Sequence, residues 1–220
     1  MTRKDNLKKA LFGTAGLLVF SLGVHLTIWA NIGLAPFDCL GMGISYHTPL
    51  NYGLAMTSIS VIIVLIDLAM GEKIGLGTII DALLTGNFID MFNSLNPLPH
   101  PDNIAVSIAV LVLGLFIMAA GQYLHTSTGL GCGPRDSFVI GVGKRLRRLS
   151  IGTIEILQWC AALAIGWALG GPVGIGTVIS TFGAGIAMNI VCRAIKFEPR
   201  EVIHQSIFET AKILTKGARA

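Results

Sequence analysis

The residues able to do chemistry in this chain are few, and most stand in apolar surroundings. Asp38 closes the stretch GLAPFD, and about a hundred residues later Asp136 closes GCGPRD, with Arg135 beside it. A guanidinium inside a bilayer costs about 2.5–3.5 kcal/mol on insertion scales, so Arg135 must face the protein interior or water and be paired. Asp38 or Asp136 is its natural partner, in a salt bridge joining two parts of the chain. The alternative use is recognition of an anion or carboxylate, because the guanidinium fork suits bidentate oxyanion contacts. Each aspartate also follows a proline by two residues, the pattern of a helix start whose positive end it would cap. Thr78, Asp81 and Thr85 recur at helical spacing, and Thr177 and Ser180 repeat the first two. One polar helix face of this kind either locks helices together or lines a pathway. Asp81 lies well inside its segment, which suits coupling to a proton or another cation.

Other chemistry finds no residues to carry it. No nucleophile-and-base triad, HExxH, Walker loop or CxxC pair is present, so the chain does not read as an enzyme and no cofactor is expected. Cys39, Cys132, Cys160 and Cys192 lack CxxC or Cys/His spacing, which predicts neither disulfides nor a metal site but small core residues. The net charge of +4 does not argue for nucleic acid, since most basic residues flank apolar runs.

The elements that position these residues are membrane helices. The 220 residues are 53% hydrophobic and 13% charged, where soluble domains carry roughly a quarter charged residues. Mean hydropathy is +0.72. Apolar runs near 10–30, 53–70, 104–124 and 152–169, with more polar ones at 75–93 and 174–192, nearly fill the chain. The fold class is therefore an all-α integral membrane protein whose first partner is the lipid bilayer.

The chain repeats itself. Gly33, Pro36, Phe37 and Asp38 fall on Gly131, Pro134, Arg135 and Asp136 at one offset, and Gly75, Gly77 and Thr78 fall on Gly174, Gly176 and Thr177 after a one-residue slip. Each half predicts a long span, a short helix opened by the Pro/Asp motif, and two further long segments. About ten residues at 1.5 Å each give the short helix roughly 15 Å against a hydrocarbon core of about 30 Å, so it reaches only halfway. Three spans per half place the halves upside down relative to each other, which requires opposite charge bias in equivalent loops. The N-terminus has Arg3, Lys4, Lys8 and Lys9 where NPLPHPDN has no Lys or Arg, and YHTPLN has none where KRLRR has four. An inverted three-plus-three repeat with both termini cytoplasmic follows, with a parallel four-plus-four arrangement as the alternative. Repeat 1 covers about 8–97 and repeat 2 about 104–196 of a single transmembrane domain, 1–197. Beyond it, 198–220 predicts a cytoplasmic interfacial helix with Ile203, Ile207, Ala211 and Leu214 on one face.

The motifs NIGLAPFD with GLGT, and GLGCGPRD with GIGT, resemble those of the YczE/YitT type of bacterial multi-pass membrane proteins. The resemblance implies residence in the bacterial cytoplasmic membrane and carries over neither a substrate nor site residues. From the residues themselves, the expected function is a transporter or channel for a small solute. Its central site would be lined by Asp38, Arg135, Asp136, Asp81, Thr78, Thr177 and Ser180, with Gly33, Pro36, Gly131 and Pro134 breaking the helices. The competing expectation is a non-transporting accessory or scaffold protein whose intramembrane charges are structural. Oligomeric state stays open.

Overall fold

In the computed structural model, residues 3–96, 99–197, 202 and 205–207 are described, and among them there is helix and loop but no strand. Eight helices follow in order: α1 (Arg3–Trp29), α2 (Pro36–His47), α3 (Tyr52–Ala69), α4 (Leu76–Leu95), α5 (Ile104–Thr126), α6 (Pro134–Arg145), α7 (Ile151–Ala168) and α8 (Ile175–Ile195). The starts of these helices are local chemistry. Pro36 and Pro134 open α2 and α6, where a missing N–H costs nothing. Asn51, Asn103 and Ser150 cap α3, α5 and α7 by accepting from the N–H groups of Leu54, Ala105 and Thr153.

Helices α1, α3, α5, α7 and α8 are long and apolar enough to cross a membrane. The 20-residue α4 has the length, about 30 Å, but Asp81, Asn87, Asp90 and Asn93 lower its apolarity and it is not among the five. The 12-residue α2 and α6 reach about 18 Å each, short of a crossing, as their spacing predicts. Side chains are distributed for lipid rather than water. Val178, Phe182 and Ile186 form an exposed apolar face on α8, while Ser21, His25, Asp38, Asp67, Thr78, Ser107 and His125 are buried. This is a membrane protein.

Among the described residues, α1 and α5 make the most extensive packing between helices. They run antiparallel: a Cβ on Gly16 would stand 2.7 Å from the His125 amide nitrogen, and one on Gly23 would stand 2.5 Å from that of Met118. Glycines let the two backbones approach, which matters in lipid, where helix association rests on close van der Waals contact. Around this pair, α1 packs on α4 as α5 does on α8, and the short helices cross over, α2 against α7 and α6 against α3.

The two repeated motifs are knitted to each other across the halves. The Gly176 N–H donates to Ile32 O at 2.7 Å, and the Gly77 N–H donates to Leu130 O at 2.9 Å. Each G-x-G-T motif thus satisfies the loop that precedes the short helix of the opposite half. Gly33 (φ 108°) and Gly131 (φ 143°) are required there, since their backbone conformation disfavours any side chain. Space forbids one too: a Cβ at Gly33 would stand 2.5 Å from the Gly174 nitrogen, and one at Gly131 would stand 2.6 Å from Thr78 Oγ1.

At one end of the molecule Glu72 pairs with Lys144 and lies 3.9 Å from Arg145, tying the α3–α4 loop to the end of α6. At another, the Trp29 indole donates to Pro99 O at 3.1 Å, joining the end of α1 to the loop before α5. Most of the expected interfacial helix, 198–220, lies outside the described residues. Within it, the Gln205 N–H donates to Gly129 O and the Ile207 N–H to Ile74 O, both at 2.8 Å, so this piece straps the two loops that precede α6 and α4.

Candidate functional site

A cavity of about 200 Å³ lies where the first turns of α2 and α6 meet α1, α3, α4, α5, α7 and α8. Its walls draw on positions matched in the two halves of the sequence: Phe37 with Arg135, Asp38 with Asp136, Val24 with Gln122, Asp81 with Ser180, Thr85 with Ala184, and Ser60 with Trp159. The matched positions differ in chemistry almost everywhere. In four of the six pairs a polar residue on one side matches an apolar one on the other, so the cavity is lopsided although its frame is paired.

Arg135 does not form the salt bridge expected of it. Its guanidinium carbon lies 4.2 Å from the centroid of the Phe37 ring, a cation–π contact, and no carboxylate among the described residues comes within 4.0 Å of its nitrogens. Asp38 and Asp136 are near enough to feel its charge without touching it. The physical reason is adjacency along the helices: Asp38 and Asp136 each occupy the third position of their own first turn, where the helix end favours a carboxylate. Asp38 is 5% exposed and accepts from the Tyr52 hydroxyl at 2.9 Å. Tyr52 opens α3, so this bond ties α2 to its neighbour and fixes the carboxylate at the cavity edge.

Asp136 is exposed to the cavity and accepts no hydrogen bond from a described residue. Asp81 accepts from Thr85 Oγ1 one turn later on α4, at 2.5 Å. The two carboxylates converge on Gly133: a Cβ there would stand 3.0 Å from Asp81 Oδ2 and 3.7 Å from Asp136 Oδ2. Ser180, 2% exposed, lines the same cavity with its hydroxyl oxygen unpartnered. Pro36 and Pro134 line it as well.

Two of the residues expected to line the site sit elsewhere. Thr78 is buried in the junction between the motifs and donates to Cys132 O at 2.5 Å. Thr177 is buried at the equivalent place and accepts from the Gly174 N–H at 3.1 Å. Both hold helix starts in place rather than line the cavity, and Gly33 and Gly131 belong to the same junction. Cys39 and Cys192 are buried as expected, Cys132 is half-buried, and Cys160 is exposed on the outer face of α7, so it is not a core residue. His25 joins α1 to α4 through Asn93, 2.6 Å from its Nδ1, and through Asn96. Asp90 accepts the Gly53 N–H. Asp67, near the end of α3, is fully buried with both carboxylate oxygens unpartnered among the described residues.

Residues that the sequence did not single out complete the cavity: Tyr52 behind Asp38, and Gln122, Met56 and Trp159 in the walls. Gln122 had a readable signal, the same as that of Arg135, because it is a polar residue in an apolar span whose counterpart, Val24, is apolar. Tyr52, Met56 and Trp159 had none, since aromatic and sulfur side chains in a membrane helix carry no mark of what they face.

Comparison with known proteins supplies a family. Uncharacterized membrane protein YczE of Bacillus subtilis is 30% identical over 186 residues, which cover 81% of this chain and 82% of that protein. An uncharacterized protein of Haemophilus influenzae is 26% identical over 197 residues, 86% of this chain and 89% of its own length. Uncharacterized protein YyaS of Bacillus subtilis is 27% identical over 186 residues, 83% of this chain and 91% of its own length. No solved structure matches. The profile of DUF6198, a family of unknown function, matches residues 7–193, nearly the whole of the repeated region, and the chain belongs to that family.

Proposed function

We propose that this chain is a transporter or channel for a small solute, built as two inverted repeats in the cytoplasmic membrane with both termini in the cytoplasm. The observation that carries the proposal is the cavity itself: two helices that start inside the protein bring Asp38, Arg135 and Asp136 to one space at the meeting of the halves. Discontinuous helices meeting near the midplane of a repeat-built membrane protein are where substrate and ion sites form. The antiparallel course of α1 and α5 supports the inverted repeat, because a parallel duplication would run them in the same direction. So does the pairing of Glu72 with Lys144, which a four-plus-four arrangement would put on opposite sides of the membrane. Placing that end in the cytoplasm follows the basic cluster at 144–148.

Flux into reconstituted vesicles tests the reading. Asp136→Asn keeps the shape of the wall and Arg135→Gln removes the guanidinium; each removes one charge, and both are expected to abolish solute-dependent flux while the protein remains folded. Variants that retain full flux, or a solute screen that yields none with the wild-type chain, would sink it and leave the scaffold role.

A further inference from the structure

The cavity walls leave donors and acceptors unmet together, and that combination specifies a ligand. On the donor side, Arg135 meets the Phe37 ring and donates no hydrogen bond to a described residue. On the acceptor side, Asp136 is open to the cavity and Asp81 has only Thr85 on its Oδ1, while the Oδ2 atoms of both approach the Gly133 backbone. Ser180 lines the same cavity, with its hydroxyl buried and unpartnered among the described residues. A buried polar group without a partner is costly, so groups left open in a wall are those a ligand or water completes.

A simple cation would answer Asp81 and Asp136 but leave the guanidinium unmet. A simple anion would answer the guanidinium and then face three carboxylates, Asp38, Asp81 and Asp136. A molecule with both charges satisfies every open group. The other walls include the apolar Phe20, Ile89 and Trp159 and the polar Ser60, Gln122 and Thr181.

We infer that the cavity binds a small zwitterion, a primary ammonium and a carboxylate carried on one short apolar body. The carboxylate sits on Arg135, the ammonium on Asp81 and Asp136, with the Ser180 hydroxyl hydrogen-bonded to the ligand. The inference rests on reading the cavity as a solute site, and it concerns binding rather than movement across the membrane.

Calorimetric titration of the purified full chain in detergent, with three probes of nearly one shape, tests it. Valine carries both charges, isobutylammonium lacks the carboxylate, and 3-methylbutanoate lacks the ammonium. Valine is expected to bind about tenfold tighter or more than either, the scale of one charged hydrogen-bonded contact. Arg135→Gln is expected to weaken valine and 3-methylbutanoate and spare isobutylammonium, and Asp136→Asn to weaken valine and isobutylammonium and spare 3-methylbutanoate. Absence of valine binding, equal binding of valine and a single-charge probe, or equal losses for all three probes in both variants overturns the inference. If a variant fails to fold, the ranking of the three probes on the wild-type chain decides alone. Valine binding without flux in vesicles keeps the site and removes the transport reading; flux of another solute without valine binding does the reverse.

Discussion

The Arg135 guanidinium lies 4.2 Å over the ring of Phe37, and these two residues occupy the same position in the two copies of one motif. The first turns of the two short helices line one cavity, and the side chains of their second residues meet there. One copy supplies an aromatic face and the other a cation. A like pair would have placed two rings or two charges there.

Because no ion pair holds Arg135, its removal is expected to cost little stability. Arg135→Gln should lose about 1–2 kcal/mol in thermal or denaturant unfolding, the range of a partly desolvated cation–π contact, and Phe37→Leu should lose a similar amount. Breaking a buried salt bridge would cost about 3–5 kcal/mol. A loss of that size in Arg135→Gln would show that a carboxylate does hold the guanidinium.

Tyr52→Phe removes the hydroxyl that Asp38 accepts and leaves a buried carboxylate short of a donor. The expected cost is about 1–3 kcal/mol. Combining it with Asp38→Asn should give less than the sum of the single losses, since both act on one bond. Additive losses in the double variant would argue that the contact contributes nothing.

At the crossed motifs, Gly33→Ala and Gly131→Ala each force a side chain into positive φ and into the opposite half. Each is expected to destabilise by well over 1 kcal/mol, since strained backbone and a collision with backbone or a buried hydroxyl add. Gly185 is the control: a Cβ there meets nothing within 4 Å, so Gly185→Ala should be neutral or stabilise by up to about 1 kcal/mol. Unfolding midpoints of the three variants in one detergent check the contrast.

Membrane topology separates the inverted from the parallel arrangement. A cysteine placed in the loop 46–52 should label with an impermeant reagent from outside the cell, and one at 144–148 only after permeabilisation. Paired cysteines at Glu72 and Lys144 should cross-link through a bifunctional thiol reagent with a spacer the length of the two side chains, because the side-chain tips are in contact. Labelling of 46–52 from the cytoplasmic side would overturn the inverted reading.

The sequence by itself determined the solvent, the rhythm of helices and the break points. Apolar runs specify membrane helices because no other spanning structure available to such a segment satisfies its backbone in lipid, and Pro36 and Pro134 specify starts because proline has no N–H to lose. Short helices of about ten residues, too short to cross, follow from spacing alone, and the structure makes them twelve. The sequence also marked Asp38, Asp81, Arg135, Asp136 and Ser180, since a polar residue in an apolar run must be accommodated, and the cavity gathers all five. Only the tertiary structure decided what each one meets. Repeated motifs look alike on paper, yet each G-x-G-T packs on the short-helix loop of the other half, and nothing local to either motif encodes that exchange. That exchange, through Gly77 and Gly176, drew Thr78 and Thr177 into the junction and away from the cavity. It also set Arg135 on Phe37 instead of on a carboxylate, because the approach of two helix ends, a distance no spacing rule contains, selects the partner.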